Sequence, residues 1–447
     1  MNSARPVIWL IVLLALLTQA LSATFLVTEF FTPNASTAIA RQFAATGEMR
    51  TELFWVRLRG PYPPPAGPLR MFHLPGEPLY LAGGFRLLPT AAERYLHVPV
   101  TVLLIAASCA VAVRLAGPRA GLLTGLIACL HPYMLLHGPV WDDVFLGAAM
   151  EWTVFLAALC AVGRPGAAPE APSAPGRRPG LSRRRVWTLA AVAGVATAVA
   201  TLTRSQSMLT LGGFAVIVVL LPKLRPAWPV GVMIGLGAVL AAGGWGWRNH
   251  VVMGRFAVGS SHDGITLWES NYPHAVEAIR TTGQVEMLNG RYMAEDYART
   301  HDLGELEADA YFRKRAIDSM TANPLGVLAA VPIKAWVTLT GWDFGAPARS
   351  PRNLVSLATN AVLLLLAAAG VVTTMRRWKG SDPAHQLLLA AALTGGGAVI
   401  LLLVIGPVGL RYRMTIEPLL WLSAAVFISD RFGPASRPTR GEPQSQA

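Results

Sequence analysis

Apolar stretches of about 18 to 22 residues recur from one end of this 447-residue chain to the other, and they limit its fold more than any other feature. Wound as a helix, such a stretch crosses a hydrocarbon layer about 30 Å thick. Backbone polar groups find no water there, so only helices and closed barrels span it. Stretches this long predict helices, and the expected fold is all-α and integral to the membrane. Ten spans are read, at 7–27, 97–115, 119–137, 145–163, 186–203, 207–222, 228–246, 353–373, 386–406 and 412–429. Only 14% of the residues are charged, whereas a soluble domain carries about a quarter.

The first span is read as an uncleaved helix rather than a signal peptide, because it exceeds the usual apolar core of such a signal. Cys109, Cys129 and Cys160 all fall inside spans without metal-ligand spacing, and are expected to pack as small apolar groups. A net charge of +13 does not imply nucleic acid here. The basic residues of the short loops all fall on one side if the N-terminus is cytoplasmic, among them Arg114, Arg119, Lys223, Arg225, Arg376 and Arg377. A bacterial-type inner or plasma membrane protein with both termini in the cytoplasm is therefore expected.

Residues 1–430 read as one polytopic membrane domain. Its outer side carries loops at 28–96 and 247–352, richer in polar and aromatic residues than the spans, where function is expected. Residues 164–185 form a Pro- and Arg-rich cytoplasmic linker that cannot bury enough apolar surface to fold, and 431–447 read as a disordered tail. "NASTAIARQFAATGEM" predicts a short helix stopped at Gly47, and the prolines that follow forbid a continuous helix until about Pro78. The segment from Glu307 to Trp342 predicts two helices broken at Asn323-Pro324, the second lying at the outer surface.

Charge at the span mouths is where chemistry is sought, since a charged group at an apolar edge is costly. Asp142 and Asp143 stand side by side in "GPVWDDVF", so burial or a cation must offset their repulsion. The plainer reading is a pair of acids at a helix N-terminus, favoured by its dipole. Arg204, Arg248, Arg411 and Arg413 lie at outer span ends, and guanidinium groups converging from separate helices suit a phosphate. For each arginine alone, snorkelling to headgroups is the better explanation, and it is their clustering that points to a phosphate. Glu417 is placed to pair with Arg413 four residues away.

Four stretches carry a resemblance to a known family. "HLPGEPLYLAGGFRLL" from His73, "LTRSQSMLTL" at 202–211, "WRNHVVMGRFAVGSSHDGITLWESNYP" at 247–273 and "RYRMTIEPLLWLSAA" at 411–425 resemble, in order, motifs of the GT-C-type glycosyltransferases that use polyprenyl-phosphate sugars. That superfamily holds the protein O-mannosyltransferases and the lipid A aminoarabinose transferases. The resemblance implies an inverting transfer of a hexose or pentose from a polyprenyl-phosphate donor to an acceptor hydroxyl, on a protein or glycolipid, at the outer face of the cell envelope. By matched position His73, Tyr80, Arg204, Arg248, Trp268, Asn271, Arg411, Tyr412 and Arg413 would bind substrate, and Lys334 is added to that set. A divalent metal is left open.

The chain departs from the family pattern where an acid is expected after the first span. Ala40 and Gly47 keep their spacing, but the acidic slot falls near Thr32. Glu29, about one helical turn earlier, is expected to supply the base with a contribution from Asp142 and Asp143. The alternatives are that either aspartate acts by itself, that the chain is a silent binding member, or that it moves lipid-linked sugars across the bilayer.

Overall fold

The computed structural model describes residues 4–26, 35–51, 68–162, 182–282, 294–342, 349–376, 382–407 and 409–432. Among these residues the chain is helical, and the only extended pairing is an isolated bridge between Thr51 and Leu69. Seven described helices are long and apolar enough to cross a membrane: Ala4–Leu26, Thr90–Ala116, Asp143–Val162, Arg183–Thr203, Pro222–Met253, Pro351–Arg376 and Pro383–Ile405. The protein is an integral, multi-pass membrane protein.

The expected count of ten spans is not reached by that measure. The stretch at 119–137 is broken where Pro132 removes a helix donor and pushes His131 into extended backbone, leaving α5 (Pro118–Leu130) and a short α6 (Pro132–His137). The stretch at 207–222 becomes the 16-residue Ser205–Leu220, and that at 412–429 becomes the 16-residue Glu417–Phe432, preceded by a 3-10 turn at Leu410–Arg413.

The first outer loop contributes α2 (Ala35–Thr46), ended by Gly47 at a φ of 79°, and α3 (Gly76–Leu87), which begins as expected beyond the proline-rich stretch. The expected cap at Asn34 lies outside the described residues, as do residues 163–181 of the linker region and 433–447 of the tail. The last linker residues, Arg183 to Arg185, instead open a helix capped by Ser182, and Arg431 and Phe432 end one. Of the spans, α4 (Val98–Ala116) and α7 (Asp143–Val162) are the most enclosed, whereas α1 (Ala4–Leu21), α16 (Pro351–Arg376) and α17 (Pro383–Ile405) show most of their surface outward. Exposed Trp9, Leu13, Leu365 and Ile400 belong to these outer helices and fit a lipid surround.

Two glycines permit close helix crossings. A Cβ on Gly237 of α10 (Trp228–Met253) would fall on the carbonyl oxygen of Gly194 in α8 (Arg183–Thr203). One on Gly370 of α16 would strike the backbone of Ser423 in α18 (Glu417–Phe432). The core formed by α1, α4, α5, α7, α8, α9 (Ser205–Leu220) and α10 includes Phe145, Trp152, Phe155 and Phe214, and extends to Trp421 of α18.

The second long loop folds on its own cluster around Trp268, Tyr272 and Phe312, drawn from α11 (Asp263–Asn271), α12 (Ala275–Thr282), α13 (Ala294–Thr300), α14 (Glu305–Ala322) and α15 (Pro324–Thr340). The break at Asn323-Pro324 occurs as the sequence predicts, with α14 and α15 bent by 100°. Asn323 caps the new helix, its Oδ1 accepting from the Gly326 amide at 2.8 Å.

Candidate functional site

The acidic pair opens α7. Asp142 ends the turn before the helix, and its Oδ1 accepts from the Val144 amide at 3.0 Å, so the carboxylate sits on the positive end of the helix dipole. Its Oδ2 lies 3.9 Å from Nη1 of Arg411, and the two side chains are 19% and 41% exposed. Burial pushes the Asp142 carboxyl up, but Arg411, hydrogen bonds from Asp143 and the Val144 amide, and Arg204 outweigh it and hold it below the usual carboxylate range.

Two arginines reach this mouth from separate elements. Arg204 interrupts α8 and α9 in extended backbone, with φ −146° and ψ 130°, which turns its side chain out of the helix run. Its Nη2 donates to Gln206 Oε1 at 3.2 Å, and its guanidinium acts on both aspartates. Arg411 stands in the Leu410–Arg413 turn, entered through Gly409 at a φ of 146°, backbone that a side-chain-bearing residue adopts only with strain. Arg411 Nη2 donates to the Tyr412 hydroxyl at 2.7 Å. The Tyr412 ring joins the two cations, with the Arg411 and Arg204 guanidinium carbons 4.8 and 5.6 Å from its centroid.

His73 and Glu77 complete the mouth from the first outer loop. His73 packs edge-on to His262 with ring centroids 5.4 Å apart, and Phe72 stacks on His262 at 4.9 Å. Burial and then Arg411 lower His73 to about 4, so it is neutral at physiological pH; burial, His73 and Arg411 likewise lower His262. Glu77, in the first turn of α3, is 3% exposed, with Oε1 3.9 Å from Nε2 of the fully buried His97. Burial raises its carboxyl well above the usual range, Asp143 and Asp142 raise it further, and a hydrogen bond from Ser36 and the charge of Arg411 do not offset this. Glu77 is therefore harder to ionise than an ordinary glutamate, beside the aspartate pair.

The remaining sequence-chosen residues stand elsewhere. Arg413 is fully buried, its guanidinium bonded to Glu417 at 2.5 Å, to Asn360 Oδ1 at 2.5 Å and to the Leu339 carbonyl, so it ties α15, α16 and α18 together. Lys334 donates to the Gly406 and Val404 carbonyls at 3.2 and 3.4 Å, closing the C-terminus of α17. Asn271 donates to the Ile405 carbonyl at the same helix end, and Trp268 donates to Asp296 within the outer-loop core. Arg248 donates to the Arg70 and Met49 carbonyls at 2.8 and 3.2 Å, joining the two outer loops. The Tyr80 hydroxyl donates to the Leu96 carbonyl. Glu29 lies outside the described residues.

Sequence reasoning passed over Glu77, His262 and Glu151. Glu77 was visible as an acid opening an apolar helix, and Glu151 as an acid within a span, two turns after Asp143 on one face. Among the described residues no three His, Cys, Asp or Glu side chains are grouped to hold a metal ion.

No family model and no curated protein matches this sequence. Among solved structures it is similar to the oligosaccharyltransferase AglB of Archaeoglobus fulgidus in complex with an inhibitory peptide and a dolichol-phosphate, at 14% identity and a TM-score of 0.54 over 96% of this chain. The same enzyme tethered to an acceptor peptide gives 13% and 0.55. The match covers 50% of the AglB chain, so this chain spans about half that length. ArnT from Cupriavidus metallidurans bound to undecaprenyl phosphate is similar at 16% identity, over 94% of this chain and 77% of its own, with a TM-score of 0.39. The AglB likeness is one of fold, and this chain has the fold of the GT-C-type membrane glycosyltransferases.

Proposed function

We propose that the protein transfers a sugar from a polyprenyl-phosphate donor to an acceptor hydroxyl at the outer membrane face. The observation that carries this is the meeting of Arg204 and Arg411 on the Tyr412 ring beside Asp142. Two cations drawn from distant parts of the chain, at the end of apolar helices, suit an anion on a lipid tail. That AglB was solved with a dolichol-phosphate supports a lipid phosphate as the donor's charged group.

In the reaction, the acceptor oxygen bonds to the anomeric carbon while the bond from that carbon to the phosphate oxygen breaks. The electron pair stays on the lipid phosphate, whose charge Arg204 and Arg411 hold, with the Tyr412 hydroxyl as a further donor. The acceptor proton passes to a carboxylate of the Asp142–Asp143 pair, with Glu29 as the first-loop acid of the same proposal. Attack from the face opposite the phosphate inverts the anomeric carbon. The basic short loops favour a topology with both termini in the cytoplasm and this mouth outside.

The test is purified protein in detergent with a panel of polyprenyl-phosphate hexoses and pentoses and a mixed acceptor pool. Release of polyprenyl phosphate coupled to acceptor glycosylation is expected. Absence of transfer from every donor, by protein that is folded and monodisperse, would refute the proposal.

A further inference from the structure

Asp143, Gly147 and Glu151 recur at four-residue steps along α7, so they share one face, with Glu151 about 12 Å below Asp143 along the axis. The missing side chain at Gly147 makes room for an arginine: a Cβ there would stand 3.1 Å from Arg204 Cδ and 3.5 Å from its Cγ. The Arg204 stem thus lies across α7 between an outer and an inner carboxylate, and its charge acts on both.

Glu151 is 6% exposed inside a membrane span, where an unneeded carboxylate is strongly disfavoured. Its Oε2 has no hydrogen-bond partner. The Ser207 and Thr415 hydroxyls are near enough to act on it, while neither the Ser207 nor the Thr210 hydroxyl meets full hydrogen-bond geometry. Glu151 and Thr210 line a small cavity between α7, α9, α17 and the start of α18, shared with Thr415 and Trp152. Trp152 Nε1 donates to the Thr415 carbonyl at 3.3 Å, joining this floor to the turn that carries Arg411 and Tyr412. Glu151 thus stands one turn below Gly147, on the face of α7 that the Arg204 stem crosses.

We infer that Glu151 is an inner counter-ion of Arg204, a positioning residue that competes with the bound anion for that guanidinium and so lets the spent lipid phosphate leave. The inference rests on the sugar-transfer reading for the identity of its anion. A structural carboxylate and a competing one differ in sign. Loss of a merely structural group loosens the site and weakens anion binding, whereas loss of a competing charge strengthens it.

The experiment measures binding of farnesyl phosphate, a short polyprenyl phosphate, to the full chain in detergent. Glu151→Gln is expected to bind about tenfold more tightly than the unaltered protein, with kcat reduced and the donor KM lowered together. Glu151→Asp, which keeps the charge, is expected to stay near the unaltered affinity. In an Arg204→Gln background the gain from Glu151→Gln should vanish. Equal or weaker binding by Glu151→Gln, or a gain that survives without Arg204, would overturn the inference. A ligand-free double-mutant cycle on the melting temperature separates the two readings. If the unaltered protein does not bind farnesyl phosphate, the sugar-transfer reading fails, and the cycle still decides the counter-ion role. Coupling between positions 151 and 204 upholds that role, and additivity removes it.

Discussion

Arg411 and Arg413, two residues apart in one 3-10 turn, face opposite fates: the first is 41% exposed at the mouth beside Asp142, and the second is fully buried on Glu417. The turn separates them because a 3-10 helix advances about 120° per residue, so residues two apart point to different sides. A cation at the mouth can be lent to a substrate, whereas one sealed among Glu417, Asn360 and a carbonyl cannot.

Replacement of the mouth arginines should therefore act on turnover. Arg411→Ala is expected to lower kcat/KM for the donor by about 10²-fold or more, the usual scale for losing a preorganised charge partner, with the melting temperature nearly unchanged. Arg411→Lys should recover only part, because an ammonium lacks the fork that matches phosphate oxygens. Steady-state kinetics beside a thermal melt read both effects.

Replacement at the buried pair should act on folding. Arg413→Ala leaves Glu417 buried without its cation, a loss of about 3–5 kcal/mol, while Glu417→Ala strands the arginine at similar cost. The double replacement Arg413→Met with Glu417→Leu is expected to be less destabilised than either single one. Melting temperatures of the three variants test this, and an Arg413→Ala protein as stable as the parent would remove the pair's role as a tie between α15, α16 and α18.

How far this division was legible in the sequence follows from the same residues. The four-residue spacing from Arg413 to Glu417 gave the pair, and the Asn323-Pro324 break and the Gly47 stop were equally local signals, set by backbone chemistry within one turn. Trp268, Asn271 and Arg248 looked like substrate ligands because they are polar groups in matched motifs, and Lys334 was added to them as a cation in the second long loop. Their partners are carbonyls and a carboxylate from 28 to 199 residues away, which no local pattern reveals. Glu77 escaped notice for the same reason: its neighbours Asp142 and Asp143 arrive from the start of α7, more than 60 residues along the chain.

Glu77 gives a pH prediction whose sign can be worked out. Its folded pKa is raised above the unfolded value, so the folded state holds a proton that the unfolded state releases as pH climbs above the ordinary glutamate range. Stability from this group is thus fully present below that range and is lost as pH rises through the raised pKa. Glu77→Gln mimics the protonated acid and cannot lose a proton. Its melting temperature should match the parent at mildly acidic pH and exceed it increasingly toward alkaline pH. Parallel melting curves across that interval would show that Glu77 does not carry the burial cost assigned to it.

The aspartates separate transfer from mere carriage of lipid-linked sugars. Asp142→Asn keeps a side-chain acceptor for the Val144 amide but removes the charge opposite Arg411, and Asp143→Asn removes its charge from beside Arg204. Neither change should weaken the phosphate grip, since each deletes a negative charge next to the cations. Farnesyl phosphate binding should hold or tighten. Turnover should fall by about 10²–10⁴-fold, the scale of a lost general base, with the triple variant Glu29→Gln, Asp142→Asn, Asp143→Asn inactive. A carrier of lipid-linked sugars takes no proton from an acceptor and would keep its flux in the triple variant. Flux through proteoliposomes, measured beside transfer in detergent, distinguishes the two: retained flux with no transfer by the unaltered protein assigns the chain to transport. Transfer that collapses in the triple variant while phosphate binding survives places the base among these three acids, because only proton removal has been taken away.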